Sequence, residues 1–258
     1  HLSTCKSPQQ MFGPLVKTYY AEKEGIDPAD IYCVSIMPCT AKKYECQRPE
    51  MNSSGYQDVD VVLTTRELGR MFRQAGLDAA NLPEEEYDAP LGISTGAGEI
   101  FGASGGVMEA ALRTVYEVVT GETLENIDFE VCRGLTGVKE ATVQVGDLPV
   151  KVAITNGLGN ARKVLDKIRA GEADYHFIEV MCCPGGCIGG GGSPIPTDTD
   201  IRLKRIDATY TEDERMVLRK SHENPAVMAL YEEFLEKPLG HKSHELLHTK
   251  YTPRGVNK

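Results

Sequence analysis

Glu179-Val180-Met181-Cys182-Cys183-Pro184-Gly185-Gly186-Cys187-Ile188-Gly189-Gly190-Gly191-Gly192 is the stretch on which the reading of this chain turns. Three of the eight cysteines fall between 182 and 187, and six glycines follow Pro184. The apolar run from His176 to Met181 reads as a short buried strand that Pro184 ends. Beyond it, a glycine-rich backbone can wrap closely around a bulky object, since glycine accepts positive φ and carries no Cβ. Thiolates on such a turn are how proteins hold iron–sulfur clusters. On residue types alone two other readings stay open. Cys183 and Cys187 have the spacing of a zinc knuckle, although no second Cys or Cys/His pair completes a tetrahedron. The thiols can equally be inert and buried. A disulfide framework fits poorly with an acidic, enzyme-sized chain whose other cysteines are scattered.

Working outward, 258 residues suffice for a sizeable core, as one large domain or two lobes. The net charge of −10 argues against nucleic acid and anionic membrane as partners. No apolar run reaches a membrane-spanning length. There is no internal repeat and no low-complexity tract. The chain opens without an initiator Met, so it is expected to start mid-protein or after processing, and the lack of a signal peptide carries little weight.

Ser7 as N-cap and Pro8 at the first helical position predict a helix to about Lys23, stopped near Gly25. Cys5, just before it, reads as a buried or half-buried thiol. Ile31–Met37 is a predicted strand broken by Pro38, with Cys39-Thr40-Ala41-Lys42-Lys43 beyond. A cysteine past the end of a buried strand sits where α/β folds place ligands, although a loop cysteine beside two solvated lysines explains the same residues. Cys33 and Cys46 read as structural. Val59–Leu63 is the next strand, and Thr64 with Glu67 makes a capping box that opens a helix to about Ala75. Pro83 to Asp88 is an acidic surface loop. A glycine-rich stretch from Gly92 leads into a helix from about Val107 to Thr120, closed by Gly121. Gly96-x-Gly98 and Gly157-Leu158-Gly159 invite a dinucleotide reading. The first has its third glycine one position late, and the second carries Arg162 where a small residue is needed. Strands are expected at 130–133, 139–145 and 150–155, the middle one with a wet face because polar and apolar residues alternate. A helix over 161–170 returns the chain to the cysteine loop, and this order implies an α/β architecture. Asp198 to Lys220 reads as mostly helical, Asn224-Pro225 restarts a helix to about Glu236, and Ser243 caps a last short one. His244 and His248 lie four apart there; without a Glu-x-x-His partner they read as surface or packing residues.

Met37-Pro38-Cys39-Thr40-Ala41-Lys42-Lys43-Tyr44-Glu45 and Glu179 to Cys187 resemble the second and third signature motifs of the iron-only (FeFe) hydrogenases. Ser7-Pro8-Gln9-Gln10, Thr64 to Leu68, Phe101 to Arg113 and Ser221 to Pro225 resemble that family too, so the likeness covers essentially the whole chain. It implies two sheet-containing lobes flanked by helices, with a metal cluster in the cleft between them. It implies reversible reduction of protons to H2 at the H-cluster, a 4Fe–4S cubane joined through one thiolate to a di-iron centre bearing CO, cyanide and a dithiolate amine. By motif match Cys39, Cys183 and Cys187 are the metal ligands, Cys187 being the one shared with the di-iron centre. Lys42 would hold a cyanide by a charge-assisted hydrogen bond. Met37 and Met181 would form a soft apolar wall, with Ser7, Pro8, Gln9 and Phe101 close by and Ser3 in the proton path.

Cys182 stands where the family usually has alanine, and Ser193 where the glycine run usually ends in Gln. The family's first motif, a Cys-Cys-Pro pair, precedes the residues matched at this N-terminus. It supplies the fourth cubane ligand and the proton-passing cysteine, so residues 1–258 are expected to be an N-terminally truncated large-subunit catalytic domain, inactive alone. The implied partners are ferredoxin or an upstream iron–sulfur domain, together with maturation proteins, in the cytoplasm. A non-catalytic relative, either a cluster-assembly scaffold or a hydrogen sensor, is the alternative of a different class; an α/β enzyme with a zinc site is a third.

Overall fold

A computed structural model describes residues 2–253. The chain divides into two compact units, one formed by 1–92 with 226–258 and the other by 93–225. Each has its own small sheet.

The first unit opens with α1 (Pro8–Leu15), a π-helical segment (Val16–Tyr20) and α2 (Ala21–Glu24), ended by Gly25 at φ 65°. The predicted single helix is therefore present but changes pitch midway. Pro14 has no N–H to give the α-helical ladder, and the Thr18 hydroxyl donates to its carbonyl at 2.6 Å. Ser7 precedes the helix without capping it through its side chain. Strand β1 (Val34–Met37) is shorter than the predicted Ile31–Met37 and is followed by α3 (Ala41–Glu45). β1 pairs in parallel with β2 (Val61–Thr64), Val34 opposite Val61 and Met37 opposite Thr64. The capping box forms as expected. Thr64 Oγ1 accepts from the Glu67 N–H, Glu67 Oε2 accepts from the Thr64 N–H, and α4 (Thr65–Gln74) follows. Cys46, Val59 and Val62 make the core beneath, with Cys33 and Met37 packed on it.

The second unit begins with α5 (Gly96–Glu99) and α6 (Gly106–Thr120), the latter closed by Gly121 at φ 70°. Gly96-x-Gly98 thus lies within a short helix rather than on a strand-to-helix turn, and a Cβ on Gly96 would run into the Asp213 carboxylate. β3 (Val138–Val145) and β4 (Leu148–Asn156) form an antiparallel hairpin; α7 (Leu158–Arg169) crosses to β5 (Phe177–Met181), parallel to β4. The order β3-β4-β5 with one antiparallel strand is not the doubly wound parallel sheet of a dinucleotide fold. Ala141 and Val143 pack on a core of Met108, Leu112, Cys132, Val152 and Ile154, while Glu140, Thr142 and Gln144 face solvent, as the alternation predicts. α8 (Thr199–Arg215) starts at Asp198, whose carboxylate accepts from the Ile201 N–H.

Three expectations are corrected here. Residues 130–133 are not a strand: Glu130–Cys132 is a 3-10 turn, because the Arg133 guanidinium is drawn onto Glu109 and Gly134 turns the chain at φ 97°. β5 is an edge strand and only half buried, with Phe177 and Val180 exposed. Cys5 is exposed, since it lies in an isolated bridge opposite His248 rather than beneath the helix that follows.

α9 (Pro225–Leu230) carries the chain back to the first unit, where a π-helical segment (Tyr231–Leu235) and α10 (His241–Leu247) cover α1. Leu15, Phe234, Leu235 and Leu246 form that core. Ser243 lies inside α10, not at its cap, and its hydroxyl donates to the Lys237 carbonyl at 2.8 Å.

Candidate metal centre

The site residues fall into two groups, one in each unit. In the first unit the end of β1 delivers Met37, Pro38 and Cys39, and α3 carries Lys42 and Lys43. Cys39 is half-buried. Met37 packs on the Cys46–Val59–Val62 core, so at least part of its side chain is structural. The two lysines differ sharply. Lys43 Nζ donates to the Val62 carbonyl at 2.9 Å and pairs with Glu67 at 2.8 Å. Together with the Thr64 N–H, it holds the Glu67 carboxyl down at about 2. Lys42 is half-buried, and its ammonium has no hydrogen bond or ion pair among the described residues.

This loop is clamped to the start of α1 by polar side chains. Ser7 Oγ donates to Glu45 Oε2 at 2.8 Å, and Gln9 Nε2 donates to the same oxygen at 3.0 Å. Ser35 Oγ donates to Gln9 Oε1 at 2.7 Å, which ties the helix to β1 as well. Ser7 and Gln9 therefore position the Cys39 loop, and Glu45 is the hub that joins them. Sequence reading quoted Glu45 without a role; its signal was a lone acid two residues after a lysine pair. Pro8 is exposed at the helix start. Ser3 is exposed, its hydroxyl accepting from the Cys5 N–H at 3.1 Å and its carbonyl from the Tyr251 hydroxyl at 2.7 Å.

In the second unit β5 ends at Met181 and the chain turns through Cys183 to Cys187, both half-buried, whereas Cys182 is exposed. Gly185 and Gly186 sit at φ 81° and 95°. The Gly186 N–H donates to the Cys183 carbonyl at 3.0 Å, and Ser104 N–H to the Gly185 carbonyl at 3.0 Å. The Asn156 side chain accepts from the Gly185 N–H at 3.1 Å and donates to the Thr136 carbonyl at 3.0 Å. Arg205 holds the far side through the Ile188 carbonyl at 2.7 Å. Glu179 stitches β5 to the start of α6, accepting from Gly105 N–H at 2.6 Å and Met108 N–H at 2.8 Å. Burial pushes its carboxyl above the usual range, against the pull of those N–H groups and Lys139. Phe101 is half-buried against Ala97, Ile100, Ala103, Ala110 and Tyr210. Ser193 is buried within the loop, its hydroxyl donating to the Ile188 carbonyl at 3.4 Å. Asn156 and Arg205 carry no cysteine-motif signature, and sequence reading missed both.

These residues fit an iron–sulfur group. None of the eight cysteines is joined in a disulfide. The Cys183–Cys187 turn is shaped by backbone that side chains would obstruct: a Cβ on Gly189 would meet the Pro184 carbonyl, and one on Gly186 the Ser104 nitrogen. A half-buried lysine whose ammonium has no partner among the described residues, three residues from a half-buried thiol, suits an anionic ligand. Among the described residues, no helix is long and apolar enough to cross a membrane.

Comparison with known proteins bears on the same question. Residues 1–191 match the model of the iron-only hydrogenase large subunit, C-terminal domain, and residues 199–254 that of the iron hydrogenase small subunit. The NADP-reducing hydrogenase subunit HndD of Solidesulfovibrio fructosivorans is 56% identical over 98% of this chain and 43% of its own length. The cytosolic iron-sulfur assembly component 3 of Rattus norvegicus is 32% identical over 97% of this chain and 54% of its own length. A variant of the FeFe-hydrogenase HydA1 from Chlamydomonas reinhardtii superposes with a TM-score of 0.82 at 45% identity, covering 98% of this chain and 71% of that one. The chain spans about half the length of the curated relatives it matches. Such relatives include both hydrogenases and iron–sulfur assembly proteins, and on the strength of the large-subunit match the chain belongs to the iron-only hydrogenase family.

Proposed function

We propose that this chain provides cluster-holding residues of an enzyme that reversibly oxidises H2 and reduces protons. The observation that carries the reading is the division of labour between two adjacent lysines. Lys43 is spent on Glu67 and the Val62 carbonyl, while the Lys42 ammonium has no partner among the described residues. An assembly scaffold that holds only cubanes has no evident use for such an ammonium.

In this reading the thiolates of Cys39, Cys183 and Cys187 ligate iron, and Lys42 donates to a cyanide. Met37, Met181 and Phe101 keep the surroundings apolar. Ser7 and Gln9 orient the Cys39 loop through Glu45, and Pro8 starts the helix beside it. Ser3 passes protons, its hydroxyl free to turn between donor and acceptor roles. The H-cluster, when bound, supplies the redox chemistry of H2; the protein's part is orientation, water exclusion and electrostatics. Three thiolates leave one cubane iron to a ligand outside this set, which the family's first motif would provide. Ferredoxin or an upstream iron–sulfur domain is the proposed electron partner, in the cytoplasm, with maturation proteins installing the di-iron centre.

The test is Lys42→Asn in the full-length protein, matured anaerobically. The infrared bands of CO and cyanide should disappear while the cubane absorbance remains, because a charge-assisted hydrogen bond worth roughly 1.5–3 kcal/mol is lost. Unchanged hydrogen evolution from reduced methyl viologen would reject the assignment. The assembly reading predicts no turnover in the unmodified protein either.

A further inference from the structure

α8 lays two arginines against the turn that carries Cys183 and Cys187. A Cβ on Gly185 would stand 3.4 Å from Arg202 Cδ, and one on Gly189 would stand 3.1 Å from Arg202 Nε, so the arginine stem lies against both glycines. The Arg202 Nε–H is buried, and neither it nor the rest of the guanidinium has a hydrogen bond or ion pair among the described residues. Arg205, three residues on, donates to the Ile188 carbonyl at 2.7 Å and to the Pro194 carbonyl at 2.9 Å. Lys139 reaches the turn through Ser104. Its Nζ donates to the Ser104 carbonyl at 3.1 Å and the Gly134 carbonyl at 2.9 Å, and the Ser104 N–H donates to the Gly185 carbonyl at 3.0 Å. None of the three cations forms an ion pair among the described residues. Glu179 acts on Lys139 from a distance, with its two oxygens taken by the Gly105 and Met108 N–H groups. In a chain of net charge −10, three cations on one turn without a carboxylate in contact leave positive charge for an anion that is not a side chain.

We propose that Arg202 sets the reduction potential of the cluster held by Cys183 and Cys187, its guanidinium favouring the reduced form. The inference rests on the cluster reading above. A cubane bound by thiolates is an anion, and its one-electron reduction by an external donor adds one negative charge without making or breaking a bond. Net charge and hydrogen bonds around the sulfurs are what set such potentials, so a cation fixed on the ligand turn stabilises the added electron. Arg202 is singled out because Lys139 and Arg205 give their donors to carbonyls, whereas its Nε–H is shielded from water and has no partner. A guanidinium stays charged at any working pH, so the effect does not titrate away. The glycines at 185 and 189 admit the stem, since side chains there would push it off the turn.

The experiment is a redox titration of the full-length protein, reconstituted anaerobically with iron and sulfide and read by the spin-resonance signal of the reduced cubane. Arg202→Gln and Arg202→Met both remove the charge, the second keeping an unbranched stem against the glycines. At a fixed potential each should lower the ratio of reduced to oxidised cubane about tenfold, which is about 59 mV for a one-electron couple, with iron content unchanged. Arg202→Lys should restore most of the loss. Lys204→Gln removes the same charge from an exposed position on the same helix and should leave the midpoint in place. The proposal is overturned when the neutral variants titrate as the unaltered protein does, or when Lys204→Gln moves the midpoint as far as they do. An unmoved midpoint on a fully formed cubane leaves the cluster reading standing. An unaltered protein that takes up no cubane overturns that reading, and this proposal with it.

Discussion

A Cβ at Gly186 would stand 2.7 Å from the Ser104 amide nitrogen and 2.8 Å from the Gly102 carbonyl oxygen, at a φ of +95°. Both neighbours are backbone atoms and cannot swing away. Gly186→Ala should therefore destabilise the protein by roughly 1–3 kcal/mol and lower the iron bound after anaerobic reconstitution. Urea unfolding and an iron assay check this; a change within about 0.5 kcal/mol would mean that the loop relaxes. Glu117 governs a different property. It accepts from Lys220 at 2.6 Å, the Leu124 N–H at 2.8 Å and His222, and the Lys220 ammonium leads in holding its carboxyl down at about 2, from an ordinary 4.5. A carboxyl lowered in the fold contributes stability above its unfolded value, and that contribution drains away as pH falls from about 4.5 towards 2. Glu117→Gln should flatten the loss of stability across that window and cost roughly 1.5–3 kcal/mol at neutral pH. An unchanged acid-unfolding curve would contradict it. The same carboxylate, with His222 and Glu223, has the spacing of a metal site, but its oxygens are already engaged by Lys220 and His222.

At the scale of elements, local signals and remote partners contributed differently. The Thr64–Glu67 box and the terminating Gly25 and Gly121, both at positive φ, act within one turn of chain, and each lies where sequence reading put it. Residues 130–133 show the opposite. Their composition suits a strand, yet the Arg133 guanidinium reaches Glu109 Oε1 at 2.6 Å and Asp128 at 2.7 Å, and that pull favours the turn. Arg133 belongs to an ionic lattice with Arg113, Arg219, Glu109, Asp128 and Asp213, of which Arg113, Glu109 and Asp213 are fully buried. Arg113 grips Asp213 with two bonds, at 2.8 and 2.9 Å, and Glu109 at 2.8 Å, which fastens α6 to α8. Removing Arg113 strands the fully buried Glu109 and Asp213 carboxylates away from water. Arg113→Met should cost about 3–5 kcal/mol, against less than about 0.5 for the exposed Arg169→Ala. Thermal unfolding of the two variants side by side checks this, and equal midpoints would show that the lattice is dispensable.

The whole molecule is two units with separate cores, and only the second is a single run of chain. Residues 93–225 contain a complete three-stranded sheet, two apolar clusters and the entire Arg113 lattice. This segment expressed alone should fold cooperatively, with dispersed amide resonances and a single denaturation transition; a collapsed spectrum would show that its core is incomplete. The first unit needs both ends of the chain, since Leu15 packs with Phe234, Leu235 and Leu246. Amino-acid order was enough for the α/β class, most helix limits and, through the two cysteine motifs, the family. Those properties come from periodicity, caps and residue chemistry that operate over a few positions. It was silent on why Lys43 rather than Lys42 is paired with Glu67, on the Asn156 and Glu179 bonds that shape the cysteine loop, and on the ionic lattice. Glu179 meets the Gly105 N–H 74 residues away and Arg113 meets Asp213 100 residues away. Only packing brings such groups within bonding distance, and in a desolvated interior each polar group takes the partner that packing presents to it.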